Sequence, residues 1–211
     1  MDGDLIISTA AQRSPEWFAV RAGKATASAF ADILATVKAG ESASRKNYRL
    51  QLVTERLTGL PSESFTNAEM RWGIDHEDEA REAYMAHTGT LVDESGFMYR
   101  NYLEAGCSPD GLIDDDGMLE IKCPNSVTHV EYMEADELPS KYVAQVQGQL
   151  WIAGRQWCDF VSFDPRMPEK LRLFVVRVER DDAYIQALKA EVLRFMGEVQ
   201  DMEQRLRKVA A

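Results

Sequence analysis

Three residues have the types and spacing to work together chemically: Asp110, Glu120 and Lys122. They lie in the stretch Cys107 to Pro124, Cys-Ser-Pro-Asp-Gly-Leu-Ile-Asp-Asp-Asp-Gly-Met-Leu-Glu-Ile-Lys-Cys-Pro. Ser108-Pro109-Asp110-Gly111 is turn chemistry, with Pro presetting φ and Gly free to take positive φ. Asp114-Asp115-Asp116-Gly117 is a second turn between Leu112-Ile113 and Met118-Leu119, so the stretch predicts a β-hairpin. With the turn centred on Asp115, Asp110 and Glu120 are equidistant from it and face each other. Cross-strand Cβ atoms sit about 5 Å apart, and like charges opposed there destabilise a sheet. A bound cation would turn that liability into a site. Strand alternation puts Lys122 on the face of Glu120 and sends Ile121 into the core. The bland alternative is a solvated strand face beside ordinary turn residues.

A further carboxylate must come from elsewhere. Thr66-x-x-Glu69 reads as a capping box that starts a helix from Asn67 to His87, closed by Gly89. Positions 70, 74, 77, 81 and 84 share one helical face. Glu77 therefore points inward with Met70, Ile74 and Tyr84, while Asp75, Asp78 and Glu82 see water. An inward carboxylate needs a partner, because burial without one is costly. Arg81, one turn on, is the structural candidate, and a metal ion is the functional one.

Ser14-Pro15-Glu16-Trp17 predicts a helix start, with Ser as cap and Pro in the first turn. That helix ends near Arg21-Ala22-Gly23. Thr26-Ala27-Ser28 then opens a helix from Ala29 to Val37, with Phe30, Ile33 and Leu34 on one face. Arg21, Thr26 and Ser28 thus gather before a helix N-terminus, whose free N–H groups favour a bound anion. Simple capping would need only one of the hydroxyls. Ser44 to Leu57 reads as another helix, with Arg45, Lys46, Arg49 and Arg56 exposed along a basic face that either follows a nucleic-acid backbone or is merely solvated.

The remaining elements build the body. Leu91-Val92 and Gly96 to Tyr99 read as strand segments, and Trp157 to Phe163 and Leu171 to Val178 as strands. Pro139 to Ala153 reads as a helix on which Gln145, Gln147 and Gln149 interrupt an apolar surface. Asp181 caps a last helix with the apolar seam Ile185, Leu188, Val192, Phe195, Val199, Met202 and Leu206. Its steps of three and four suit packing on the body of the same chain, with a partner subunit as the alternative.

Length and composition suit one globular domain of 1–211. It divides into a basic helical part at about 12–60, a core at about 66–180 and a last helix at about 181–208. No apolar run approaches the ~18–20 residues of a membrane span, and Met-Asp-Gly-Asp does not begin a signal peptide. Three cysteines without Cys-x-x-Cys spacing point to a reducing cytoplasm and away from zinc or an iron–sulfur cluster. The net charge of −11 is unevenly spread. Residues 12–56 carry eight Lys/Arg against four Asp/Glu, whereas 63–137 carry four against nineteen. A basic part beside an acidic part suits a protein that holds both a polyanion and metal ions.

Glu77, Asp110, Glu120 and Lys122 taken together are the set that metal-dependent phosphodiester hydrolysis needs. Hard carboxylate oxygens suit Mg²⁺ or Mn²⁺. Such ions activate water and neutralise phosphate charge. A nearby lysine can position or help deprotonate that water.

Pro109-Asp110, a ten-residue step and Glu120-Ile121-Lys122 resemble the PD-(D/E)XK nuclease motif. More of the chain resembles the lambda exonuclease (YqaJ-like) family of phage recombination nucleases. The matching pieces are Gln12-Arg13-Ser14-x-Glu16-Trp17, Arg21-x-Gly23-x-x-Thr26-Ala27-Ser28 and Trp72-Gly73-x-x-x-Glu77-x-x-Ala80-Arg81. They continue with Cys107 to Gly111, Leu119 to Pro124, Tyr142-x-x-Gln145-Val146-Gln147 and Asp164 to Met167, in the family's order.

The resemblance implies an α/β (α+β) restriction-endonuclease-like fold, with a central mixed sheet flanked by helices. It implies a Mg²⁺-dependent (Mn²⁺ possible), two-ion, processive 5′→3′ exonuclease that acts on linear double-stranded DNA and leaves a 3′ single strand. A ring-shaped homotrimer, a single-strand annealing protein as partner and the cytoplasm of a bacterial host as location are also implied, with no membrane association. Asp110, Glu120 and the main-chain carbonyl of Ile121 would hold metal, and Glu77 a second ion. Lys122 would orient the nucleophile, with Gln145 nearby. Arg21, Ser28 and Ser108, with Thr26 beside them, would bind the 5′ phosphate. Met70 would be a strand-separating wedge, unless it packs in the helix core. The alternatives are a PD-(D/E)XK endonuclease and a non-catalytic DNA-binding module of the same fold.

Overall fold

The computed structural model describes residues 4–62 and 67–209. Among the described residues, eight strands form two four-stranded mixed sheets rather than one continuous sheet. The first contains β1 (Ile6–Ile7), β2 (Ala25–Thr26), β3 (Met98–Arg100) and β4 (Ala105–Cys107) in the order β1-β3-β4-β2. The second contains β5 (Gly111–Ile113), β6 (Gly117–Lys122), β7 (Trp157–Phe163) and β8 (Leu173–Glu179), in chain order. Within it β6 and β7 are parallel and the other pairs antiparallel.

Strand β7 is buried on both faces, and its two polar residues, Asp159 and Ser162, are hydrogen-bonded there. Alternation along β6 then sends its apolar side chains into two of the three cores. Leu119 and Ile121 join Val161 and Phe163 under Ala80 and Tyr84 of α4 (Ala68–Thr88). Met118 and Cys158 point the other way, into the larger core. That core is filled from α2 (Phe30–Leu34), α3 (Ala43–Thr58), α6 (Val143–Ala153) and α7 (Asp182–Val209). Ile185, Leu188, Val192, Phe195 and Val199 of α7 are buried there, each worth ~1.5–3 kcal/mol of transfer free energy. The last helix thus packs on its own chain, although Leu206, at the end of the seam, is exposed.

Several local expectations need correction. Helix α1 (Pro15–Arg21) begins as expected, with the Ser14 side chain accepting from the Trp17 N–H. The next element is only a 3₁₀ turn over Ala27–Ala29 followed by the five residues of α2, and neither the Thr26 nor the Ser28 side chain caps it. Thr66 lies outside the described residues; the cap of α4 is Asn67, whose side chain accepts from the Met70 N–H. The first turns of α4 pack through Trp72 and leave Met70 55% and Ile74 40% exposed, so neither of these is a core residue. Leu91-Val92 forms no strand; the pairing there is a single bridge between Asp93 and Leu112.

Helix α5 (Ser126–Ala135), capped by Asn125, was not expected from sequence, because it offers only a weak apolar stripe. It is held instead by the buried His129, which contacts the Ser162 hydroxyl at 2.7 Å and the Leu171 carbonyl at 2.8 Å.

The basic face of α3 is also not what the sequence suggests. Arg45 and Arg49 are both bound by Glu41 and by Glu198 of α7, and Arg45 is buried. Arg56 donates to the Gly23 carbonyl and to Glu104. Three of the four cations are therefore spent on intramolecular carboxylates, and Lys46 alone of them is exposed and outside these pairs. Arg45 and Arg49 thus stitch α3 to α7 rather than forming a free basic track.

Candidate active site

The hairpin has the register expected of it. Gly111 pairs with Leu119, Leu112 with Met118 and Ile113 with Gly117, so Asp110 lies opposite Glu120. Asp110 is tied to that strand twice: its N–H donates to the Leu119 carbonyl at 3.0 Å, and its Oδ2 accepts the Ile121 N–H at 2.7 Å. The glycines serve for space rather than for positive φ. In the turn it is Asp114 that takes the left-handed conformation, at φ 44°. A Cβ on Gly117 would strike the Trp157 ring at 2.2 Å, and one on Gly111 would meet Val92 at 2.1 Å. Arg155 clamps the turn by donating to the carbonyls of Ile113, Asp114 and Gly117.

Glu120 is buried and its carboxylate is fully engaged. Oε1 accepts from Lys122 and from Gln145 Nε2, while Oε2 accepts from Gln149 Nε2 at 2.7 Å. Both glutamines come from α6, one helical turn apart, so the polar interruptions that alternated in the sequence divide by role. Gln147 faces elsewhere and joins the Glu179 carbonyl to the Asp181 N–H. Gln149 is a residue that sequence reasoning left unassigned; its spacing of four from Gln145 was the available signal.

Burial, then the charge of Glu120, pushes the Asp110 carboxyl well above the usual carboxylate range. Burial works to lower Lys122, but Glu120 and Asp110 outweigh it and push it above the usual lysine range. In this state Lys122 is a fixed cation and hydrogen-bond donor, suited to orienting rather than to accepting a proton.

Glu77 does face the hairpin, close enough to raise the Asp110 carboxyl. Its nearest partner is not Arg81, which lies 3.6 Å away, but Arg13, whose guanidinium pairs directly with it. Arg81 is occupied with Asp78, Glu94 and the Asp110 carbonyl. Arg13 stood in the quoted Gln12-Arg13-Ser14 text but had been given no role. Residues 7–13, Glu77, Arg81, Ser95 and Asp110 line a cavity of about 610 Å³.

Beyond Asp110 a second cluster forms around Ser108. Its hydroxyl accepts from Arg21 Nη1 at 3.2 Å and from Trp17 Nε1 at 3.1 Å. The Arg21 guanidinium stacks on Trp17, 3.8 Å from the ring centroid. Burial draws Arg21 down to about 10, where it is still cationic at neutral pH. Strand β2 runs parallel to β4, placing Thr26 beside Gly106, and the Thr26 N–H donates to Tyr48 Oη at 2.8 Å. The exposed Ser28 lies 3.3 Å from the Thr26 hydroxyl and makes no bond to Arg21 or Ser108. The structure thus joins Arg21 directly to Ser108, and Ser28 only to Thr26. Met70 stands exposed in the first turn of α4.

The donor set suits a hard divalent cation. Two acidic groups opposed on a hairpin, one of them pushed upward by burial and then by its neighbour, are relieved by positive charge, and their oxygens are the donors that Mg²⁺ prefers. Among the described residues no group of three or more His, Cys, Asp or Glu side chains is assembled as a ligand cage.

An acidic hairpin and a lysine on a mixed sheet flanked by helices define a protein of the PD-(D/E)XK, restriction-endonuclease-like fold. The chain belongs to the family of YqaJ-like viral recombinase domains, whose model matches residues 16–156. Its structure is similar to that of LHK-Exo, an alkaline exonuclease from Laribacter hongkongensis, at 42% identity and a TM-score of 0.86. The alignment covers 93% of this chain and 98% of that one. LHK-Exo in complex with dAMP matches over the same shares at 41% identity and a TM-score of 0.87. A phage related exonuclease from Haemophilus somnus 129PT shares the fold at 15% identity, with a TM-score of 0.65 over 88% of this chain and 96% of its own. No match was found among proteins of curated function. Family and structural likeness together support a nuclease role.

Proposed function

We propose that this protein is a Mg²⁺-dependent, processive 5′→3′ exonuclease that degrades one strand of linear double-stranded DNA and leaves a 3′ single strand for annealing. The carrying observation is the hairpin register, which opposes Asp110 and Glu120 and places Lys122 one pleat further along the same face. Asp110, Glu120 and the Ile121 carbonyl would hold one ion and Glu77 a second; Mn²⁺ would substitute. Bound there, such ions neutralise charge on the attacked phosphate and lower the pKa of a bound water. Gln145 and Gln149 hold the Glu120 carboxylate in one orientation. Lys122 orients the attacking water and offsets the developing negative charge.

The 5′→3′ direction rests on the Arg21–Ser108 cluster. Ser108 is only two residues before Asp110, so a terminal phosphate held by Arg21 and Ser108 leaves the first phosphodiester at the hairpin. Trp17 keeps the guanidinium in place. Thr26 and Ser28 would add hydroxyls for the same phosphate, and exposed Met70 would act as the wedge between strands. Residues 1–211 act as one nuclease domain, in keeping with a larger core that draws on the 12–60, 66–180 and 181–208 parts together. We also propose a homotrimeric ring, a single-strand annealing protein as partner and the host-cell cytoplasm as the place of action. The described helices include none long and apolar enough to cross a membrane.

The test is digestion of end-labelled linear duplex in Mg²⁺ with 5′-phosphate, 5′-hydroxyl or closed-circular substrate. The proposal expects fast loss of the 5′-phosphorylated strand, slower loss of the hydroxyl form and an intact circle. Cutting of the circle would point to an endonuclease. No degradation of any substrate, with binding retained, would point to a non-catalytic module.

A further inference from the structure

Arg13 is one of four non-glycine residues among those described with positive φ, at 67°. A side chain in that region is strained unless its surroundings hold it. The strip that carries it is pinned on both sides. The Ser8 N–H donates to the Phe97 carbonyl at 2.9 Å, and Gln12 Nε2 donates to the carbonyls of Ser95 and Pro109. The approach is close: a Cβ on Gly96 would lie 1.9 Å from the Ser8 carbonyl oxygen. The strip is therefore fixed and only the Arg13 side chain is free to swing. Its guanidinium pairs with Glu77 at the mouth of the cavity, with 40% of the Arg13 side chain exposed against 15% for Glu77.

We infer that Arg13 is a positioning residue, a removable internal cation that holds the Glu77 carboxylate in the metal-free protein and competes with a divalent ion for it. This rests on the nuclease reading above. An ion pair whose arginine is 40% exposed is readily broken, and a doubly charged ion facing Asp110 and Glu77 would outcompete a single delocalised charge. Arg81 is the more distant partner of Glu77, at 3.6 Å, and is shared with Asp78, Glu94 and the Asp110 carbonyl. The pair keeps Glu77 aimed at the hairpin before any ion arrives. Displaced from Glu77, the Arg13 guanidinium would be available to a DNA phosphate.

The test is calorimetric titration of Mn²⁺ into DNA-free protein, comparing wild type with Arg13→Gly and Arg13→Gln. Glycine suits the positive φ, so the first variant removes the guanidinium while keeping the backbone, and the second checks it by another route. Both are expected to bind Mn²⁺ about fivefold more tightly than wild type. In a Glu77→Gln background, Arg13→Gly should change nothing. Unchanged or weaker binding in both variants overturns this inference alone, as does equal tightening with and without Glu77. A wild-type protein that takes up no Mn²⁺ and degrades no DNA overturns the nuclease reading and this inference with it.

Discussion

Gln149 donates from Nε2 to Oε2 of Glu120 across 2.7 Å, and both side chains are almost wholly buried. Removing that donor leaves a desolvated carboxylate oxygen without a partner. Gln149→Leu, similar in size, is expected to raise the Mg²⁺ concentration for half-maximal digestion about 10–100-fold, with the far-ultraviolet circular dichroism unchanged. An unaltered Mg²⁺ dependence would show that Gln149 only fills space.

Lys122 is held charged by Glu120 and Asp110 against the pull of burial. Lys122→Ala removes both the cation and a donor to Glu120, so digestion of linear duplex should slow by about 10²–10³-fold in Mg²⁺. A variant as fast as wild type would take Lys122 out of the chemistry.

Arg21 should set the preference for phosphorylated ends. Arg21→Ala is expected to slow digestion of 5′-phosphorylated duplex about 10–100-fold, since charge-assisted hydrogen bonds are lost. Digestion of 5′-hydroxyl ends should change little, so the ratio of the two rates falls toward one. If both rates drop in proportion, Arg21 is structural.

Asp164 provides a pH-dependent contribution to stability away from the hairpin. Burial would raise its carboxyl, but hydrogen bonds from Arg166 and Ser126 outweigh that and bring it to about 2. The folded value is below the ordinary 3.8, so the stabilisation is full above that value and is lost as pH falls toward 2. With Arg166 nearly half exposed, solvent screening reduces the gain to about 1–2 kcal/mol. Asp164→Asn should lower stability in urea by that amount at pH 7, with the difference from wild type closing near pH 2. A difference that stays constant from pH 7 to 2 would rule out the ion pair as its source.

The candidate site was legible in the sequence where function depends on local rules. Asp114 to Gly117 marks the turn, two-residue alternation sets the faces, and the opposition of Asp110 to Glu120 follows from counting. Helix α7 was legible for the same reason, since its seam repeats over many turns. What failed were short elements and charges. The five residues of α2 and the weakly patterned α5 carry too little periodicity to declare themselves, and both are held by tertiary contacts such as His129 with Ser162.

Charge was the least legible property, because a cation's meaning depends on its distant partners. Arg45 and Arg49 look like a nucleic-acid face until α7 brings Glu198, some 150 positions away, against them. Arg13 is 64 positions from Glu77, and Gln149 is 29 from Glu120. The sequence by itself determined the hairpin, its register, the facing carboxylates and the lysine beside them, since short-range geometry decides all of these. Only the tertiary structure decided what holds each carboxylate and which cations remain free. Ion pairs and buried hydrogen bonds act over a few ångströms, and the fold alone brings such distant positions within that reach.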